Sequence, residues 1–146
     1  MKENGEIKMI YETIYKKLEK LGITELVKYK KLKSEGYMDL SIDILSDNEE
    51  EKHIAMAHNF IQNGDVMADP DMEIKICKKT KMAEALTYQL SSLGIFQRVY
   101  PEPGKVYPKL KIQLNSFLDQ WLTNLLSQGF NSAIEDKINS AKEDKK

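Results

Sequence analysis

The sequence predicts an α+β fold: an antiparallel sheet of about five strands, with an N-terminal and a C-terminal helix packed on one face. Three observations carry that expectation. Apolar residues recur at three- and four-residue steps near both ends of the chain, and between those ends the period drops to two. The period-two runs are separated by short polar turns of the kind that join antiparallel strands. A helical stripe and a one-faced sheet each need cover, and a two-layer sandwich covers both.

The first helix is expected over residues 7–21. Ile7, Ile10, Tyr11, Ile14, Leu18 and Leu21 share one face, and Lys16, Lys17, Glu19 and Lys20 take the other. Gly22 stands where a helix wants a left-handed stop. A lysine-rich connector, Lys28 to Lys33, leads to the first strand, where Met38, Leu40, Ile42 and Ile44 alternate with Asp39, Ser41 and Asp43. The acidic turn 46–51 precedes a second strand carrying Ile54, Met56, His58 and Phe60 in phase. A third follows with Met72, Ile74 and Ile76.

Residues 82–92 pit helix propensity in Met82-Ala83-Glu84-Ala85-Leu86 against the alternation of Leu86, Tyr88 and Leu90. The hairpin context favours strand. A closing strand over 95–100 stops at Pro101 and Pro103, which cannot donate ladder bonds. The last helix, 110–128, has the widest apolar stripe: Leu114, Phe117, Leu118, Trp121, Leu122, Leu125 and Leu126, with Gly129 following. Residues 1–130 therefore read as one domain and 131–146 as a charged tail.

Composition narrows the function classes. The 146 residues are enough to bury a core without staples. A net charge of −1 fits neither a polycation gripping nucleic acid nor a polyanion mimicking it. Of 22 basic residues only Arg98 is an arginine, so the planar fork that reads guanine is nearly missing. A single cysteine, Cys77, excludes an internal disulfide and a multi-cysteine zinc site. No run approaches the roughly 20 apolar residues of a membrane span, and the N-terminus lacks an apolar leader, so a cytoplasmic protein is expected. There is no glycine-rich phosphate loop, nucleotide fingerprint or paired zinc motif, and no cofactor is expected.

The segment 58–72 draws the most attention. It reads as a loop between two strands, crossing the turn signals Asn63-Gly64 and Asp69-Pro70. Its aspartates either serve as internal acceptors for turns or, with His58 and Asn63, converge on a cation or polar ligand. In the second case His58, Asn63, Gly64, Asp65, Asp69 and Asp71 form a ligand or partner loop. The spacing does not match an EF-hand. His58 is in phase with the apolar side of its strand, which suits a neutral ring bonded to one partner; a His58–Asp65 pair acting as general base is the alternative. A second stretch, Lys16, Lys17, Lys20, Lys28, Lys30, Lys31 and Lys33 with Tyr15 and Tyr29, reads either as solvated surface or as a face for single-stranded nucleic acid.

Taken together, Leu21-Gly22, Met38-Asp39-Leu40, His58, Asn63-Gly64-Asp65 with Met67, Asp69-Pro70-Asp71-Met72, Leu93-Gly94-Ile95 and Tyr100-Pro101-Glu102 resemble a family of small uncharacterised bacterial proteins, a domain of unknown function. The likeness covers roughly residues 9 to 126 and centres on 63–72. Members are encoded on plasmids, conjugative elements and phages, so the resemblance implies a mobile-element setting and no particular activity.

The leading expectation is a non-catalytic accessory protein that binds an unidentified protein partner through its sheet and the 58–72 loop. The broad Trp121 stripe admits a homodimer as well. Single-stranded nucleic-acid binding through Lys16–Lys33 is the first alternative. A metal- or small-ligand-dependent enzyme at 58–72 is the second.

Overall fold

The computed structural model describes residues 2–131. It is α+β: an antiparallel sheet of seven strands and two helices, in the order α1 (Lys2–Lys20), β1 (Lys30–Leu32), β2 (Asp39–Asp47), β3 (Glu51–Gln62), β4 (Asp65–Cys77), β5 (Met82–Ala85), β6 (Thr87–Leu90), β7 (Ile95–Arg98) and α2 (Pro108–Ser127). A short 3-10 turn, Ser91–Leu93, separates β6 from β7. The charged tail expected beyond residue 131 lies outside the described residues.

Both helices end the same way. Gly22 takes φ 79° and Gly129 φ 89°, the left-handed conformation that glycine adopts without a side-chain penalty. Ile23 N–H then donates to Leu18 O, and Gly22 N–H to Glu19 O. At the second helix Phe130 N–H donates to Leu125 O, and Gly129 N–H to Leu126 O. Each is a Schellman stop, and in each the residue after the glycine, Ile23 or Phe130, is buried in the core. The sequence expectation of glycine stops is met at both positions, and the apolar residue behind each glycine fixes where the chain turns.

The sheet is a meander, β1-β2-β3-β4-β6-β7, with β5 also paired to β4. Alternation explains its layers. Leu40, Ile42, Ile54, Met56, Met72, Ile74, Ile76, Ala83 and Ala85 are buried with Ile14, Leu18 of α1 and Leu114, Leu118, Trp121, Leu122, Leu125 of α2 in one core. The helices lie closest to each other and to β5. Lys17 clasps the pair, its Nζ 2.6 Å from Asp119 Oδ1 and 2.8 Å from Thr123 Oγ1.

Three features depart from the sequence reading. Five strands become seven, because Lys30–Leu32 in the connector pairs with Leu40–Ile42 and Met82–Ala85 forms its own strand. Residues 82–90 are strand, as favoured, but broken at Leu86. There Leu86 N–H donates to Glu73 O at 2.8 Å, while Glu73 N–H turns to the Thr87 hydroxyl at 3.0 Å, so a side chain replaces a missing ladder carbonyl. Third, 58–72 is not a loop. β3 and β4 run on as a long hairpin, closed by Gln62↔Asp65 around a two-residue turn. Asn63 (φ 52°) and Gly64 (φ 84°) both take positive φ, the primed turn whose twist matches a hairpin.

Candidate functional site: the open sheet face and the central hairpin

His58 comes first, because its strand phase decides its role. It is buried on the helix side, its ring 5.5 Å from Trp121 and 6.0 Å from Phe130 between centroids. Its Nδ1 lies 3.4 Å from Asp39 O, which suits a neutral ring whose Nδ1–H donates to that carbonyl. Burial holds its pKa below the ordinary 6.5, opposed by the Asp39 and Met38 carbonyls. Among the described residues no carboxylate orients the ring, so the alternative His58–Asp65 pair is not formed and the general-base reading loses its geometry. Asp65 sits instead in the exposed closing pair of the hairpin.

A pH dependence follows. The folded state resists a proton that the unfolded chain accepts near pH 6.5, so His58's contribution to stability is complete above that value and is lost as pH falls below it. Urea midpoints followed by the fluorescence of Trp121, the sole tryptophan, are expected to drop between pH 7 and pH 5. His58→Gln is expected to flatten that slope; an unchanged slope in this variant would assign the effect elsewhere.

The remaining residues of the segment do not converge. Asp69 reaches away to the 3-10 turn, accepting from Ser91 N–H at 2.5 Å, Ser92 N–H at 3.2 Å and the Ser92 hydroxyl. Asp69 and Pro70 form an extra residue's worth of strand, since Ala57↔Asp71 is followed by Asn59↔Ala68. Their cis peptide lies in this bulge, a place where a strand tolerates proline. Asp71 emerges on the opposite side of the sheet from His58, in register with Ala57. The expected ligand loop is thus divided into a buried ring, a turn, a cap and an open-face carboxylate.

That open face is the more notable arrangement. One cross-strand row reads Lys31, Ser41, Ala57, Asp71, Gln89, Phe96, and the next reads Asp43, Ala55, Glu73. Ser41, Ala55 and Ala57 make a floor of small side chains, with Asp43, Asp71 and Glu73 standing around it. Asp71 is half-buried, and its pKa is raised first by burial and then by the charges of Glu73 and Asp43. Among the described residues none of these three carboxylates forms an ion pair. Neighbouring acids are paired with lysines: Glu51 with Lys75, Asp47 with Lys78 and Lys52.

Sequence reasoning missed Asp43 and Glu73, because alternation marks such residues only as a wet face. The small residues out of phase with the apolar ones were the available signal. It also missed Lys52, which is in phase with Ile54 and is buried. Its ammonium donates to Thr24 O at 2.8 Å and Leu26 O at 2.5 Å, and burial lowers its pKa.

The lysine stretch is spread over three segments. Lys16 and Lys20 are exposed on α1, Lys17 is held by Asp119, Lys28 is exposed in the turn, and Lys30 and Lys31 lie on the edge strand β1. Charged side chains on an edge strand discourage pairing with other chains, which accounts for the last two. Cys77 lines a cleft of about 110 Å³ with Tyr11, Lys75, Thr80, Met82 and Glu84. Among the described residues no group of three His, Cys, Asp or Glu side chains is arranged to hold a metal ion. None of the described helices is long and apolar enough to cross a membrane.

Residues 9–131 match the family model described as a domain of unknown function, DUF6908. No curated protein and no solved structure matches the chain.

Proposed function

We propose, taking as premise that the chain belongs to the DUF6908 family, that it is a non-catalytic accessory protein which docks a macromolecular partner on the open face of its sheet and along the β3–β4 hairpin. The supporting observation is Asp71. A half-buried carboxylate beside two like charges, with no cation paired to it among the described residues, costs stability and is best relieved from outside. The partner suited to it is a protein presenting lysine or arginine, whose backbone can approach closely over Ser41, Ala55 and Ala57. Ile61, largely exposed beside the hairpin turn, adds an apolar contact. A cytoplasmic location and a bacterial mobile-element setting belong to the same proposal.

An amide-resolved titration with an oligolysine peptide as probe, and oligoglutamate as control, tests this. Salt-sensitive shifts are expected at Ser41, Ala57, Asp71 and Glu73 with the cationic peptide alone. Asp71→Asn is expected to remove most of that response and to stabilise the fold. With its folded pKa raised, Asp71 holds a proton longer than in the unfolded chain, so stability falls as pH rises from 3.8 through the raised value. The variant should therefore be more stable than the parent at neutral pH and equal to it below pH 3.8. Equal peptide binding by parent and variant would remove the proposal.

A further inference from the structure

The sheet has three strand borders, and they are treated differently. β1 carries Lys30 and Lys31. β5 has its outward Ala85 N–H taken by Asn115 Oδ1 at 2.8 Å. β7, Ile95-Phe96-Gln97-Arg98, has no such device: no lysine, no acid, and an arginine whose guanidinium lies 5.4 Å over its own strand's Phe96 ring.

Register fixes which backbone groups this border presents. Val99 N–H donates to Leu86 O at 2.9 Å, in line with the pairs Thr87↔Arg98, Tyr88↔Gln97, Gln89↔Phe96 and Leu90↔Ile95. Hydrogen-bonded pairs alternate along an antiparallel ladder, so Gln97 and Ile95 spend their groups on β6. Phe96 and Arg98 point theirs outward, and among the described residues β7 has no strand neighbour on that side.

We propose that two copies of this chain pair through β7, antiparallel about a two-fold axis beside Phe96, so that their sheets become continuous. The edge is self-complementary in this register. With Phe96 opposite its counterpart, each Phe96 N–H meets the other's C=O, the closed pair of bonds that a two-fold axis demands. One step along, the outward Arg98 N–H meets Gly94 O of the second copy; Gly94's own N–H is already used by Ser91 O. Open faces then lie on the same side of the joined sheet, with the two Phe96 rings meeting there.

The area is small. Leu93, Ile95 and Phe96, in and just before the strand, are 38–69% exposed. About half of each large side chain is roughly 100 Å², or about 300 Å² per copy before the backbone edge is counted. A standard interface needs about 800 Å² per partner, so a weak, reversible dimer is expected. The Trp121 stripe does not contribute to it: Trp121 lies in the core.

Light scattering across low-micromolar to millimolar protein tests the proposal. The mass is expected to rise from 16.9 kDa toward twice that value. Amide exchange at Phe96 and Arg98 should slow with concentration while Gln97 stays unchanged. Phe96→Lys sets two ammonium groups across the axis, and Phe96→Pro deletes the outward N–H at a position where an edge strand accepts proline. Each should weaken association at least about tenfold, whereas Tyr29→Lys, at an exposed aromatic elsewhere, should not. A monomeric mass at every concentration overturns the proposal, as does a dimer that survives both Phe96 variants. The exchange measurement on the parent chain decides the matter should either variant fail to fold. The outcome is independent of oligolysine binding, so this interface and the proposed partner site stand or fall separately.

Discussion

Phe130→Ala is expected to lower the unfolding free energy by about 3–5 kcal/mol, the range for emptying a buried aromatic site. Phe130 is 1% exposed although it follows the last helix, because the Schellman stop at Gly129 swings it back under α2. Its ring lies 6.5 Å from Tyr37 and 6.0 Å from His58, closing one end of a chain of aromatic contacts that continues through Trp121 and Phe117 to Tyr88. Urea denaturation read by Trp121 fluorescence measures the loss, and a value under about 1 kcal/mol would show the ring to be dispensable. A second consequence is separable from the first. Water admitted beside His58 should relieve its burial, so the pH slope of stability should shrink in this variant as well.

Asn115→Leu is expected to cost about 1–3 kcal/mol despite adding apolar surface to a buried position. Asn115 accepts from Ala85 N–H and donates to Lys111 O, both at 2.8 Å, so one amide closes the β5 border and braces the first turns of α2. Leucine leaves the Ala85 donor buried with no acceptor. Two readouts apply: the urea midpoint, and hydrogen exchange at Ala85, which should accelerate more than exchange at its ladder neighbours. A variant as stable as the parent with Ala85 still protected would show that another group seals this border.

Much of the architecture was legible because period and punctuation agree. The α2 stripe, the alternation of β2 to β4, and the glycines after Leu21 and Gln128 each state one structure at several levels. The failures have physical causes. Residues 58–72 read as a loop because turn formers crowd there, yet the strand absorbs an extra residue at Asp69-Pro70 and carries on. β1 is three residues long and lysine-rich, too short for a period to show. The helices' preference for β5 depends on small residues there, Ala83 and Ala85, which admit close approach but leave no periodic mark.

The candidate site shows the same limit. Adjacency in sequence grouped His58, Asp65, Asp69 and Asp71, whereas strand phase and the bulge send them to different places. His58's direction was readable from its phase with Ile54 and Met56. The company of Asp71 was not, since Asp43 is brought to it by pairing across two strands.

Lys52 has a consequence for how the molecule comes apart. Its ammonium is anchored to carbonyls of Thr24 and Leu26, the first residues past the stop of α1, from a strand in the middle of the sheet. Peeling the N-terminal helix away would leave this buried cation only its distant contact with Asp47, 3.8 Å away, so the tether couples detachment of that helix to loosening of the central strands. The first helix and the turn after it are thereby committed to the rest, and partial opening from that end is disfavoured.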